Sequence, residues 1–263
     1  MESRVENVET GMEMRDLLQD ASFTHRKKTI HDPTKQLEAF QRLARVFAER
    51  ADIILQELVD IAVEFCGADS SGISLEERNE SGELRFRWIA IAGSFSHFLH
   101  GTTPRFFSPC GTCLNRGVPQ LYRVTKPYYD FLQIEAEPIT DGILIPWLTD
   151  GMRATLWAVA HNSREAFDFD DYKLLASLAD FASIALRHQT QQVALRKQER
   201  IEAYITMANE LAHQINNPLQ SVTNALYLAG RGGEGVPLFV RQASQELDRV
   251  TDVVRKLLVL KDV

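Results

Sequence analysis

Long apolar runs are missing from this sequence. Every hydrophobic stretch in its 263 residues is broken by charge well before the roughly 18 residues that a membrane-spanning helix needs, so no membrane insertion is expected. The N-terminus, MESRVENVETGMEMRD, lacks the apolar segment of a secretory signal. Cysteine is scarce: three residues are too few, and odd in number, for a disulfide scaffold, and they indicate a reducing, cytoplasmic setting. Basic residues do not dominate. With 29 Lys and Arg against 36 Asp and Glu the net charge is −7, a poor match to a phosphate backbone, so nucleic acid is not an expected partner. Signatures of hydrolytic or nucleotide chemistry are also missing. No Ser-His-Asp spacing or pair of catalytic carboxylates stands out, and Gly230-Arg231-Gly232-Gly233-Glu234-Gly235 lacks the Lys-Ser/Thr that completes a P-loop. What is present, 44% hydrophobic and 25% charged residues, is ordinary globular composition, enough for one large domain or two smaller ones.

Residues 1–34 are polar, carry the cluster Arg26-Lys27-Lys28 and end in His31-Asp32-Pro33. They read as an arm or short helix outside the core, the basic triplet as a solvated patch. From Thr34, which can cap a helix, Leu37, Phe40, Leu43, Ala44 and Phe47 recur at three- and four-residue steps. A second helix through Ile53, Leu58, Ile61 and Phe65 stops at Gly67. Ser71–Leu75 and the alternating LRFRWIAI of Leu84–Ile91 form a hairpin around Asn79-Glu80-Ser81-Gly82. Gly142–Leu148 and Ala154–Ala160 form another across Thr149-Asp150-Gly151. Between the hairpins, Gly93–Asp141 reads as a long irregular loop, and such loops inside a compact domain are usually functional. Trp88, Trp147 and Trp157 sit on strands and pack the core.

Asp168–Asp171 opens a helix with acidic residues where the dipole favours them. No Gly or Pro follows until Pro218, so one rod is expected, with a sparse coiled-coil seam at Val193, Ile201 and Ile205. Within LAHQINNPLQSVTNALYLA, the residues Leu211, Ile215, Leu219, Val222, Leu226 and Ala229 form an apolar stripe. His213 lies off that stripe with Asn209, Asn216, Asn217, Gln220 and Asn224. Pro218 sits inside the helix, where it removes a backbone hydrogen bond at a cost of about 3 kcal/mol. After the glycine run, Pro237 starts a helix with Val240, Ala243, Leu247, Val250, Val254 and Leu257 at helical steps. Two such helices bury their stripes fully only in a dimeric four-helix bundle.

His213-Gln214-Ile215-Asn216-Asn217-Pro218-Leu219 resembles the H-box of sensor histidine kinases, in their dimerisation and histidine-phosphotransfer domain, over residues 195–263. The resemblance implies that His213 is the phospho-acceptor and that Asn217 orients the phosphate or a hydrolytic water. It also implies a homodimer, a response-regulator receiver domain as partner, and an ATP-binding kinase domain acting in cis or in trans. The position after the histidine is commonly acidic in that family, and Gln214 stands there; an amide cannot accept the proton. No Gly-rich ATP lid follows the second helix, so ATP and Mg are expected only from a separate or missing domain.

Residues 35–190 resemble a GAF domain in element order: helices, hairpin, long loop, hairpin with Gly142-Ile143-Leu144-Ile145-Pro146, then an exit helix. The resemblance implies an unidentified small ligand between sheet and loop, with Phe106-Phe107-Ser108-Pro109-Cys110-Gly111-Thr112-Cys113-Leu114 as the candidate segment and Phe107, Cys110 and Cys113 as candidate contacts. Cys110 and Cys113 have the spacing of redox disulfides and of half a metal site, or fill a turn and short helix over the pocket. Cys66 reads as a buried helix residue, His97 and His100 are near in sequence only, and no second half of a site is evident. No metal is expected. No histidine directly follows either cysteine, which disfavours a covalent bilin.

The expected organisation is therefore an arm at 1–34, a GAF-like sensory domain at 35–190, and a connector with helical hairpin at 191–263. The fold class is α+β: an antiparallel sheet with flanking helices, then a long connecting helix and a hairpin forming a dimeric four-helix bundle. The expected function is the sensory and phospho-acceptor part of a two-component histidine kinase. Two alternatives stay open: an ATP-independent phosphotransfer or scaffold protein, and a redox- or metal-sensing protein whose helical tail only dimerises.

Overall fold

In the computed structural model, which describes residues 6–7, 11–26, 33–149 and 151–260, the strongest sequence signals become the middle of one antiparallel sheet. Its strands are β1 (Glu6–Asn7), β2 (Met12–Asp16), β3 (Ser70–Arg78), β4 (Leu84–Gly93), β5 (Thr102–Pro104), β6 (Gln120–Val124), β7 (Ile139–Thr149) and β8 (Met152–Ala160). They lie in the order β1-β2-β6-β7-β8-β3-β4-β5. Helices α1 (Ala21–Thr24), α2 (Pro33–Glu49), α3 (Ile54–Cys66), α4 (Pro109–Arg116) and α5 (Lys126–Leu132) are interleaved, followed by α6 (Phe169–Gly230) and α7 (Val236–Leu260). The chain divides into two compact units, Met1–Gln191 and Gln192–Val263. No helix among the described residues is long and apolar enough to cross a membrane.

Period-2 alternation sorts the side chains of the sheet into two layers. On β8, Ala154, Leu156, Ala158 and Ala160 join Ile143, Ile145 and Trp147 of β7 in a core with α2, α3 and the start of α6. The intervening Trp157 and Val159 face the other way, with Leu144, Ile91 and Phe86, into a second core under α4 and α5. Alternation therefore puts Trp147 in one layer and Trp88 and Trp157 in the other. Gly72, opposite Trp157 on the neighbouring strand, leaves room for its indole: a Cβ there would overlap the ring. Gly67 ends α3 in the left-handed region at φ 61°. At the start of α6, Asp168 accepts from the Asp170 and Asp171 amides at 2.9 and 3.1 Å, while Asp171 accepts from the Asp168 amide at 2.9 Å. This reciprocal cap fixes where the helix begins.

Two expectations about this unit require correction. The described residues 11–26 are not part of an arm outside the core. Residues 12–16 pair with β6, and Leu17 and Phe23 are fully buried. Arg26 is not solvated: its Nη1 donates to Asp141 Oδ2 at 2.9 Å and to the Phe167 carbonyl at 3.2 Å. Lys27, Lys28, His31 and Asp32 lie outside the described residues. Nor is 93–141 irregular. It holds β5, α4, β6 and α5, each shorter than the span over which periodicity becomes readable.

In the second unit, the two helices meet at Val222 and Ala225 of α6 and Ala243 of α7, with Phe239 packed against them, and Pro218 is buried one turn before Val222. The buried line on α6 thus runs through Pro218 and Ala225 rather than Leu219 and Leu226, which are 40% and 54% exposed. The leucines fall to its flank, as do Leu247 and Val254 on α7, which are also exposed.

Candidate functional site

A cavity of the first unit lies between the sheet and the segment 95–139, with a volume of about 80 Å³. Aromatic side chains line it beside aliphatic ones: Trp88 and Trp157 from β4 and β8, Phe95 and Phe98 beyond β4, Tyr122 from β6, and Tyr128 and Tyr129 from α5. Each is held by its own element. Trp157 donates its indole N–H to Ser74 Oγ at 3.0 Å. Phe95 packs on the buried His161 ring at 4.6 Å between centroids, and His161 is fixed by Ser94 Oγ at 3.1 Å and the Pro138 carbonyl at 3.0 Å. Helix α5 is tied to the N-terminal segment, since the Thr125 amide donates to the Gly11 carbonyl at 2.8 Å.

Cys110 lines this cavity and Phe107 does not. Phe107 sits outside at φ 59°, 55% exposed, with its ring 5.9 Å from that of Phe131. Cys113 is fully buried on α4, directing its Sγ at the Val118 and Leu144 carbonyls at 3.7 and 3.8 Å. All three cysteines are free thiols. Burial pushes the Cys110 thiol up from its ordinary value, outweighing hydrogen bonding with Ser74 and Thr155. The Cys113 thiol is raised too, by burial and then by Cys110 beside it. Neither is the exposed, low-pKa thiolate that redox chemistry uses. His97 and His100 are exposed and do not join them. No cluster of three or more His, Cys, Asp or Glu suited to a metal occurs among the described residues.

Sequence reasoning missed the tyrosines. Burial raises the pKa of Tyr128, Tyr129 and most strongly Tyr122, with Cys110 adding to the effect on Tyr122 and Tyr128, so all three remain protonated donors. The Tyr-Tyr pair in KPYYDFL was visible, but nothing in the sequence said that α5 would cover a cavity.

In the second unit His213 is exposed, as are Gln214 and Asn217, while Pro218 is buried. At 100° per residue His213 stands on the side of α6 opposite the line that meets α7. The amides of Asn209, Asn216, Gln220 and Asn224 are exposed with it. The Asn217 carbonyl accepts from Ser221 Oγ at 3.2 Å, one turn on.

The family model of the GAF domain matches residues 48–187. The chain belongs to the GAF domain family. The match spans both hairpins, the cavity and the start of α6. Among solved structures, the GAF domain of a phosphoenolpyruvate-protein phosphotransferase from Coxiella burnetii is 14% identical, with a TM-score of 0.49 over 61% of this chain and 98% of that one. A phycoerythrobilin-bound GAF domain from a cyanobacterial phytochrome is 12% identical, TM-score 0.45, covering 61% and 99%. The free methionine-R-sulfoxide reductase of Neisseria meningitidis, in complex with its substrate, is 17% identical, TM-score 0.45, covering 64% and 98%. At such identities the similarity concerns the GAF fold alone. No curated protein matches the chain.

Proposed function

We propose that this GAF-domain protein is the sensory and phospho-acceptor part of a two-component histidine kinase, working as a cytoplasmic homodimer, with His213 as the acceptor. The observation that carries this reading is the exposed His213 in His213-Gln214-Ile215-Asn216-Asn217-Pro218-Leu219, on the side of α6 turned away from α7. An imidazole so placed can meet a phosphoryl donor without disturbing the helical pair. A ring nitrogen attacks the γ-phosphorus of ATP held by a kinase domain in cis or in trans, ADP leaves, and the ring proton goes to solvent. Transfer to a receiver-domain aspartate then forms an acyl phosphate and restores the imidazole. Asn217, one turn along, is the residue we assign to orient the phosphoryl group. Support for the dimer comes from Val193, Ile201, Ile205, Leu219 and Leu226, which a single chain leaves exposed.

Gln214 cannot act as the proton acceptor, and it favours a second reading: a phosphotransfer or scaffold protein charged by another phosphoprotein and never by ATP. The buried, protonated thiols give a redox reading no support. The test is label transfer from γ-labelled ATP with an added kinase ATP-binding domain. Acid-labile label that disappears in His213→Ala supports the proposal. Label surviving that change overturns it, and label accepted from a phosphorylated receiver domain but never from ATP selects the second reading.

A further inference from the structure

We infer that residues 134–138 form a strap that swings away from the cavity to open it, and that the buried His161 is the latch holding the strap shut. The device governs how the cavity is reached, whatever fills it, and is independent of the chemistry of His213.

The strap joins α5 to β7 without helix or strand of its own. Ile134 and Ala136 line the cavity, while Glu135 and Glu137 are exposed to water. Its ties are few. At the α5 end the Ile134 amide donates to the Tyr129 carbonyl at 3.1 Å. At the β7 end His161 Nδ1 donates to the Pro138 carbonyl at 3.0 Å. Between these ends, Glu135, Ala136 and Glu137 form no hydrogen bond among the described residues. An open groove of about 480 Å³, lined by the strap and by Ser94, Phe95 and His97, leaves room for it to move. Opening thus uncovers one isoleucine and one alanine and breaks few bonds, the character of a segment with low local stability. The latch, by contrast, is fixed. His161 is 5% exposed, its amide donates to Asp69 Oδ2 at 2.7 Å, and its ring packs on Phe95. Because a carbonyl only accepts, Nδ1 carries the proton and Nε2 accepts from the Ser94 hydroxyl at 3.1 Å. Ser94 Oγ accepts in turn from the Ser70 hydroxyl at 2.8 Å, and Ser70 Oγ accepts from the Phe95 amide at 3.0 Å. Each donor in this chain meets one acceptor, so the ring is held in the tautomer that can bind Pro138.

Cys110 lines the cavity, so its thiol reports on opening. The full chain would be incubated for days at one pH with methyl methanethiosulfonate, a small uncharged reagent. It converts an accessible thiolate to a methyl disulfide and releases methanesulfinate, and the modified peptides are followed by mass. His161→Phe keeps an aromatic ring but gives up both ring hydrogen bonds. In that variant Cys110 should react about fivefold faster than in the unaltered chain, while Cys66, in the other core layer, keeps its rate. Hydrogen exchange at the Ile134 amide should quicken as well, because that bond is the strap's remaining tie. Ser94→Ala, which frees Nε2 but leaves Nδ1 its partner, should fall between the two. Cys110 reactivity unchanged in His161→Phe, or in Ser94→Ala should the first variant fail to fold, would overturn the inference. So would an equal rise at Cys66, which means general loosening. Faster reaction at Cys110 without faster exchange at Ile134 would place the entrance elsewhere and overturn it too. No phosphoryl donor is present, so failure here leaves the His213 reading standing, and failure of that reading leaves this test intact.

Discussion

Replacing Arg26 by alanine should unfold the first unit at markedly lower denaturant concentration. Arg26 Nη1 donates to Asp141 Oδ2 at 2.9 Å and to the Phe167 carbonyl at 3.2 Å, and its guanidinium lies 5.2 Å from the Phe23 ring centroid. The Asp141 side chain is 0% exposed and that of Arg26 7%. Removing one partner of so buried a pair leaves an uncompensated charge, with a loss of about 3–5 kcal/mol. The Phe167 amide, which still donates to Asp141 Oδ2 at 3.3 Å, places this case toward the lower end. Burial already raises the Asp141 pKa from its ordinary value, with Arg26 opposing that rise. Without Arg26 it rises further. A carboxyl whose folded pKa is raised destabilises the fold fully above that pKa and not at all below its unfolded value. The deficit of Arg26→Ala should therefore be larger at pH 7 than at pH 5. All three tryptophans lie between residues 88 and 157, so their emission during urea unfolding reports the first unit alone. Adding Asp141→Asn to Arg26→Ala should recover part of the loss, because the unpaired charge is gone. A loss below about 1 kcal/mol, or strictly additive single and double variants, would refute the buried pair as the fastening of the N-terminal segment.

Iodoacetamide should leave Cys66, Cys110 and Cys113 untouched in the native protein and modify all three in urea, as read by intact mass, because all are buried free thiols; rapid native alkylation of Cys110, or an oxidised Cys110–Cys113 pair, would contradict this. Gly72→Ala should cost about 1–3 kcal/mol in the same unfolding assay, since the new methyl meets the Trp157 ring; a neutral effect would show that β3 and β8 shift freely. Burial alone would raise the Glu77 pKa, but hydrogen bonds from Arg87 and Arg85 hold it below 4.5. The Glu77 contribution to stability is thus present above pH 4.5 and lost as pH falls through the lower folded value. With both arginines more than a third exposed, Glu77→Gln should flatten the acid limb of the stability curve by less than about 1 kcal/mol, and an unchanged limb would remove the pair from the account.

The parts of the fold legible in the sequence were those with a local signature. LRFRWIAI alternates over its whole length, the flanking turns carry Asn-Glu-Ser-Gly and Asp-Gly, and the run from Asp168 onward lacks any breaker. The N-terminal strand had no such mark. MEMRD is a five-residue strand in which only Met14 is buried, and β6, the strand that joins it to the rest of the sheet, is more than 100 residues away. Arg26 looked like one of three surface cations because Asp141, 115 positions on, is what makes it a buried one. The cavity was harder still. Its ring residues come from β4, β6, β8, α5 and the segment after β4, so the sequence pointed to Phe107 and not to the tyrosines, and only tertiary packing separates them. In the second unit the spacing located the stripe to within one residue. The shift from Leu219 and Leu226 to Pro218 and Ala225 depends on where α7 packs, which no pattern on α6 encodes.

The phospho-acceptor role rests on one imidazole, and locating the phosphoryl group itself tests it. The chain would be incubated with ATP and a histidine-kinase ATP-binding domain, digested at neutral pH, and the peptides fragmented without acid. The account predicts a phosphoryl group on His213 and its disappearance when a receiver domain is added. A phosphoryl group found on a hydroxyl, or on another histidine while His213 stays unmodified, would contradict it.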